Sequence, residues 1–438
     1  MTKRFLRNAG IAAFSLMLAI GLVPQRGFAQ LTSGDLTGLI TDASGAVVPN
    51  ATVEALNTAT GIKTSQSSTS AGEYRFSNLP IGTYDITASG TGFSPATVKG
   101  IPIRLNHIAT QNFTLQVGQT ATTVEVSEAA ATIDTNTAQI ANSYDSRLTA
   151  ELPTASFGSG VINLSLLSAG VASGGGVGQG TGPSVGGQRP TNNNFTVEGI
   201  DNNSKSVTGP LVVVPNDAVQ EFTVLQNQFQ AEYGHSSGGQ FNTAVKSGTN
   251  EFHGVLYEYL LNRNLNAVDQ LNRGLSENPR YDQNRLGATF GGPIRKNKLF
   301  FFGNYEYNPI GQTSTTGGVT APTAAGWAAL AALPGINANN LKIAQQYTPV
   351  AATADKGFDQ GATDKGLTLP NGSVIQIPVG TINIAAPNWT NYYRGTFSSD
   401  YNVSDKDQLR GRFILNKEDG VDNAAELPAF YLTLPTRY

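Results

Sequence analysis

The 438-residue chain contains three histidines, His107, His235 and His253, and they lie far apart in sequence. A zinc site needs its ligands at short fixed spacing, as in His-Glu-x-x-His on one helix face, and no such phrase occurs. Each histidine therefore reads as a satisfied or solvent-facing residue. Asp201-Asn202-Asn203 offers oxygens to a cation, but no EF-hand pattern surrounds it and a turn accounts for it better. Glycines at 174–176, 178, 180 and 182 imitate a phosphate-cradling loop, yet no Gly-Lys-Ser/Thr follows them. No Gly-x-Ser-x-Gly nucleophile elbow is expected, and no carboxylate pair suited to glycan cleavage stands out. The chain has no cysteine, which excludes disulfides, thiolate catalysis and Cys-ligated metals. These residues predict a protein that is not an enzyme, with no catalytic residue, cofactor or metal.

What remains is mechanical. Thr123-Val124-Glu125-Val126-Ser127 alternates at period two inside a polar stretch, 119–137, rich in Thr, Ala and Glu. Such a segment can pair as an added edge strand with a partner, or it can be a plain linker or the last strand of the sheet before it.

The surrounding composition favours β-structure. Only 13% of residues are charged, about half the usual share, while Gly, Thr, Asn and Ser are abundant. A net charge of -3 with no dense Lys/Arg patch leaves no electrostatic footprint for nucleic acid. At the N-terminus Lys3, Arg4 and Arg7 precede an apolar run, Ile11 to Val23, that is too short to span a bilayer. Gly27-Phe28-Ala29 then supplies small residues for cleavage. This predicts a signal peptide over 1–29. No later apolar stretch reaches about 18 residues, so an exported chain that stays in a membrane must do so as a β-barrel.

Over 30–118, short β-prone runs alternate with turn residues, the clearest at 36–41, 52–56, 72–76, 82–89 and 112–117. Tyr74 and Phe76 share one face at period two, and Tyr84 and Ile86 do the same on the next run, so the two pairs can close one core. The phrases Gly72-Glu73-Tyr74-Arg75-Phe76, Leu79-Pro80 and Gly82-Thr83-Tyr84-Asp85-Ile86 resemble the carboxypeptidase regulatory-like (transthyretin-like) domain, a small β-sandwich.

Residues 138–249 are rich in Gly and Asn. Phe195 to Ile200 reads as a strand running into an Asp-Asn turn, and Phe241 to Lys246 as another bounded by glycines. So loop-rich a segment is ordered only if walls around it satisfy its backbone groups, as a barrel lumen does. Gly187-Gln188-Arg189-Pro190 with Asn192 to Asn202, Val219-Gln220-Glu221-Phe222 with Ala231 to Gly234, and Gly238 to Asn250 are similar, in order and spacing, to the plug of Oar-like TonB-dependent receptors.

From 250 to 438 the pattern becomes long, aromatic and alternating. Tyr393, Gly395, Phe397, Ser399, Tyr401 and Val403 take one face, and Arg394, Thr396, Ser398, Asp400 and Asn402 the other. Leu409, Gly411, Phe413 and Leu415 oppose Arg410 and Arg412 in the same way. Strands are expected near 251–260, 285–291, 299–307, 392–403 and 408–416, with the Phe300-Phe301-Phe302 aromatics forming an interfacial girdle. The connections run long, short, long, short, with 308–391 as one very long external loop. Ser247 to Gly254 and Phe290 to Phe302 again look Oar-like.

The fold class is thus mainly β: an N-terminal β-sandwich, a mixed α+β plug domain and the first strands of a transmembrane antiparallel β-barrel. Receptors of this kind close with about 22 strands, so the sequence reads as an N-terminal fragment. The resemblance implies a cell outer membrane location with the first domain in the periplasm, and energy-coupled uptake driven by TonB with ExbB and ExbD. It places TonB contact at Thr123, Val124, Glu125, Val126 and Ser127. Arg189, Asn193, Asn194, Glu198 and Asp201 would be plug polar groups holding the lumen. The ligand stays open between siderophore, glycan, peptide and protein. The alternative is a cell-surface adhesion or carbohydrate- or matrix-binding protein without transport.

Overall fold

Period-two alternation sets most of the architecture, because it fixes which side chains share a face. The computed structural model describes residues 33–118, 122–125, 138–152, 160–176, 180–205, 209–229, 233–265, 267, 280–313, 319–348, 350–355, 366–382, 387–404, 407–422, 432–433 and 436–437. The expected signal peptide, Val126 and Ser127 lie outside them.

The first unit is a two-sheet sandwich. In one sheet β1 (Ser33–Asp42) pairs antiparallel with β4 (Glu73–Pro80) and parallel with β7 (Ile108–Thr110) and β8 (Phe113–Leu115). The other runs β3 (Lys63–Ser67), β2 (Thr52–Asn57), β5 (Gly82–Ser89), β6 (Ala96–Ile103), β9 (Thr122–Glu125). Tyr74, Phe76, Tyr84 and Ile86 all point into the shared core, where Tyr74 meets Phe76 edge-on at 6.0 Å. The Tyr74 hydroxyl donates to the Gln111 carbonyl at 2.6 Å, so its polar tip is satisfied. Strand β6 escapes sequence reading because it carries Gly100 and Pro102. Gly100 adopts φ +77° at a bulge opposite Asp85, whose carboxylate accepts the Gly100 amide at 3.0 Å.

The second unit is a mixed sheet in the order β10 (Ile140–Asp145), β15 (Val219–Asn227), β16 (Gln240–Val245), β13 (Asn194–Val197), β14 (Ile200–Asp201). Helix α1 (Ser146–Glu151) follows β10, its first turn capped by the Asp145 carboxylate on the Arg147 and Leu148 amides. A hairpin of β11 (Val171–Gly176) and β12 (Gly180–Val185) lies beside the sheet. The core stacks Phe195 on Phe241 at 4.9 Å and adds Phe222, Val224 and Leu164. The strand at Phe195 does not continue to Ile200. Glu198 and Gly199, at φ +51° and +73°, form a tight hairpin turn that sends Ile200–Asp201 back beside it.

The third unit is an open antiparallel wall. Its long strands are β17 (His253–Asn262), β18 (Tyr281–Arg295), β19 (Leu299–Thr313), β24 (Pro387–Asn402) and β25 (Gln408–Asp422), with short β26 (Leu432–Thr433) and β27 (Thr436–Arg437) on the last. Between β19 and β24 the chain makes an excursion containing β20 (Val319–Pro322), helices α2 (Ala324–Ala331) and α3 (Ala338–Tyr347), β21 (Leu367–Thr368), β22 (Val374–Ile375) and β23 (Val379–Ile382). Phe397, Leu409 and Phe413 are exposed on one face at 48%, 64% and 64%, whereas Thr396, Ser398 and Asp400 are buried on the other. Among the described residues no helix is long and apolar enough to cross a membrane.

Two expectations about this wall need correction. The strands are longer than the alternating runs: β19 continues to Thr313 through Pro309, so the excursion spans 314–386 rather than 308–391. Pro309 keeps its place opposite Asn391 of β24, while the β18–β19 register skips Asn308 and Pro309, the gap left where a proline has no N–H to donate. The aromatic run also divides between faces. Phe300 and Phe302 are buried inward, and only Phe301 joins Phe252 and Phe290 in an outward cluster with centroids 5.7–6.4 Å apart. Adjacent residues of a strand cannot share a face.

Phe76→Ala should cost the sandwich about 3–5 kcal/mol through the cavity it leaves. This would be read as faster amide hydrogen exchange across β1 and β4, with exposed Val117→Ala leaving both strands unchanged.

Candidate functional site at the seam between plug and wall

The inward face of the wall is polar, and the mixed sheet is seated against it. Glu198 is the residue that reaches furthest across. Its carboxylate accepts the Val245 amide at 2.8 Å and pairs with Arg412 at 3.4 Å and Arg410 at 4.0 Å. Arg412 also holds Asp400 at 2.9 Å, and Ser247 donates a short hydrogen bond to the same carboxylate. Ser398 donates to the Lys246 carbonyl at 2.7 Å. The left-handed conformation of Glu198 is the reason a sequence reader would expect Asn or Gly there. A bulkier residue in that conformation costs on the order of 1 kcal/mol and persists where its surroundings hold it. Here two arginines and a backbone amide do so.

A second group lies beside it. The Tyr259 hydroxyl donates to Asp217 at 3.2 Å, and Arg285 lies over the Tyr259 ring at 4.2 Å. Glu306, almost fully buried, is flanked by Arg394 at 3.5 Å and Arg285 at 3.6 Å and receives the Tyr257 hydroxyl at 3.2 Å. Burial pushes the Asp217 carboxyl above the ordinary aspartate range, with Arg285 and Tyr259 pulling it back. Burial likewise holds Lys246 below the usual lysine range. Buried pairs of this kind add little net stability, but removing one partner strands the other charge.

The sequence-chosen polar residues separate into three roles. Asn193 donates to the Pro183 carbonyl at 2.7 Å and accepts the Gly239 amide at 3.0 Å, while Asn194 donates to Gln240 at 2.8 Å, so both staple the sheet internally. Asp201 accepts the Asn203 amide at 3.0 Å and shapes a local turn, and Arg189 is exposed before a 3-10 turn. Glu198 is the one of the five that meets the wall. Asp217, Lys246 and Ser247 meet it as well, and sequence reading did not single them out, because a polar residue beside a strand carries no mark of what it faces. The segment Thr122–Glu125 is edge strand β9, paired parallel with β6.

His107, His235 and His253 sit in separate places, and among the described residues no three His, Asp or Glu side chains form a metal-holding group. Gly234-His235-Ser236-Ser237-Gly238 does spell Gly-x-Ser-x-Gly, contrary to the expectation that no nucleophile elbow occurs. Ser236 lies in a loop before β16, where its hydroxyl donates to the Asn192 carbonyl at 2.7 Å, so the strand-to-helix context that exposes a nucleophile is missing.

Glu198→Gln keeps the turn and removes the charge, and should lower the stability of the seated mixed sheet by about 2–3 kcal/mol, read as a lower thermal midpoint of the detergent-solubilised chain. Gly248→Ala tests the close approach where the chain passes from the mixed sheet to the wall. The added Cβ would lie 2.3 Å from the Phe301 carbonyl oxygen and 2.6 Å from that of Gly292. Faster hydrogen exchange over Val245–Lys246 is expected, and unchanged exchange would show that the wall does not grip there.

Residues 35–116 match the family described as carboxypeptidase regulatory-like domain, and residues 244–434 that described as outer membrane beta barrel domain. The TonB-dependent transporter Oar of Myxococcus xanthus is 27% identical over 312 residues, covering 69% of this chain and 29% of that protein. The chain therefore spans under a third of the length of that relative. Similar solved structures include the siderophore receptor PirA of Acinetobacter baumannii (14% identity, TM-score 0.38, covering 64% of this chain and 32% of that one). Another is the outer membrane transporter YddB of Escherichia coli (13% identity, TM-score 0.37, covering 65% and 33%). Residues 35–116 are thus a carboxypeptidase regulatory-like domain and residues 244–434 an outer membrane β-barrel domain, in an outer-membrane chain homologous to the TonB-dependent transporter Oar.

Proposed function

We propose that this chain serves energy-coupled uptake of an external ligand as a TonB-dependent receptor, with residues 138–249 as its plug and 30–118 as a periplasmic sandwich. The observation that carries this reading is the Glu198–Arg412–Asp400 seam, which seats a separately cored sheet against the inward face of a wall whose other face is apolar. A soluble adhesin has no need of either surface. The short turn at 296–298 and the exit of the plug at Gly248 lie toward the sandwich: the Asn250 amide donates to the Ala59 carbonyl at 3.0 Å, and its side chain donates to Asn297 at 2.6 Å. That end faces the periplasm in this reading, and the excursion 314–386 faces outward, where it would meet ligand.

TonB, energised through ExbB and ExbD, grips Thr123 to Ser127. The supporting feature is the edge position of Thr122–Glu125 in the sandwich's second sheet, where a further strand can be added by main-chain hydrogen bonding. Ligand identity is left among siderophore, glycan, peptide and protein. Val124→Pro deletes one backbone donor of this edge. Binding of the purified TonB periplasmic domain to the full chain should fall at least about tenfold, the loss of roughly one main-chain contact. Unchanged binding would place the grip elsewhere.

A further inference from the structure

One face of the plug sheet is polar, and a turn of the sandwich covers it. Leu105, Asn106 and His107 insert against β10, β15 and β16. The Leu105 amide donates to Glu221 Oε2 at 3.1 Å, His107 Nε2 lies 3.1 Å from the Ser143 hydroxyl, and Ser143 bonds Thr223 at 2.9 Å. Asn106, held at φ +61°, accepts Asn242 at 3.2 Å and forms a short hydrogen bond with Tyr233. Glu221 is 3% exposed, and its Oε1 is buried without a hydrogen-bond partner. A carboxylate in that position carries one strong backbone contact and one bare oxygen.

We propose that the Leu105–His107 turn is a clasp holding the sandwich on the plug, and that proton uptake by Glu221 sets how tightly it holds. The groups facing the carboxyl are few. The turn brings Arg104 and His107, β10 brings Ser143 and Asp145, and β15 brings Thr223. Burial pushes the Glu221 carboxyl up to about 7, against the weaker opposing pull of the Leu105 amide, Arg104 and Ser143, while Asp145 adds slightly to the rise. Released into water, the same carboxyl returns to the ordinary glutamate value near 4.5. Because docking raises the affinity of Glu221 for its proton, the clasp is tightest below the free value. It then weakens as pH rises through the docked value and levels off above it. The full change in the docking equilibrium is on the order of a hundredfold. If the plug reading above holds, the clasp bears on β10, β15 and β16, the strands that must move when the plug is remodelled.

The absence of cysteine makes the test direct. Ser44→Cys on the sandwich and Arg147→Cys on α1, both exposed, take spin labels in the full chain in detergent, and the interspin distance distribution is measured at pH 5.5 and 8.5. The wild-type background should give one narrow distribution at pH 5.5 and a second, broader population at pH 8.5. Glu221→Gln should stay narrow at both values, and His107→Ala, which removes one clasp contact, should enlarge the broad population at both values while keeping the response to pH. A wild-type distribution insensitive to pH, or an undiminished response in Glu221→Gln, overturns the proton dependence. A response abolished by His107→Ala assigns it to the histidine instead and overturns it equally. Should Glu221→Gln fail to fold, Leu105→Pro deletes the amide the carboxylate caps. Its narrow population should disappear at pH 5.5, and persistence would overturn the clasp. None of these readouts involves TonB, so the clasp and the transport reading stand or fall separately.

Discussion

A strand that crosses a bilayer must bond every backbone group to a neighbouring strand, because lipid offers none of its own. It must also turn an apolar face to hydrocarbon, and period two then makes the opposite face polar along its whole length. In this chain that opposite face carries Arg285, Arg394, Arg410 and Arg412 together with Glu306 and Asp400. Buried without partners, such charges would be costly. The plug supplies Glu198, Ser247 and the Lys246 carbonyl at the places where the wall presents arginine, aspartate and serine. The composition of the wall therefore asks for a filled interior, and the loop-rich plug in turn needs walls to satisfy its backbone.

The seam is polar, and that has consequences for motion. An apolar plug face packed on an apolar lumen would gain steadily with buried area and resist release. Ion pairs between buried groups contribute little net stability while fixing registry, because desolvation offsets most of their attraction. A sheet held this way is positioned sharply and bound modestly, which suits the proposed plug role of a part that is seated and then moved. Phe302 and Ile414 are apolar exceptions: from β19 and β25 of the wall they pack against the core of the mixed sheet.

The sandwich is fixed at the same end. Its Thr60 carbonyl accepts Asn250 at 2.7 Å beside the Lys296–Lys298 turn, and its Leu105–His107 turn covers the polar face of the plug sheet. Just before Asn250, Gly248 has no room for a side chain because the Phe301 and Gly292 backbones of the wall lie against it.

Much of this was legible from residue order alone. The two faces of β24 and β25 follow from counting by two from Tyr393 and Leu409, and the sandwich core from Tyr74, Phe76, Tyr84 and Ile86, since alternation is a local property of the chain. Strand ends were less legible: β19 runs past the alternating stretch 299–307 because Pro309 still pairs with β24, and β6 was hidden by Gly100 and Pro102. The turn at Glu198–Gly199 was invisible because its backbone is held by contacts with Val245, Arg410 and Arg412, all distant in sequence. The seam belongs wholly to the tertiary structure. Local pattern decides which residues are polar and which way they point, but only the docking of one sheet on another decides which charge each of them meets.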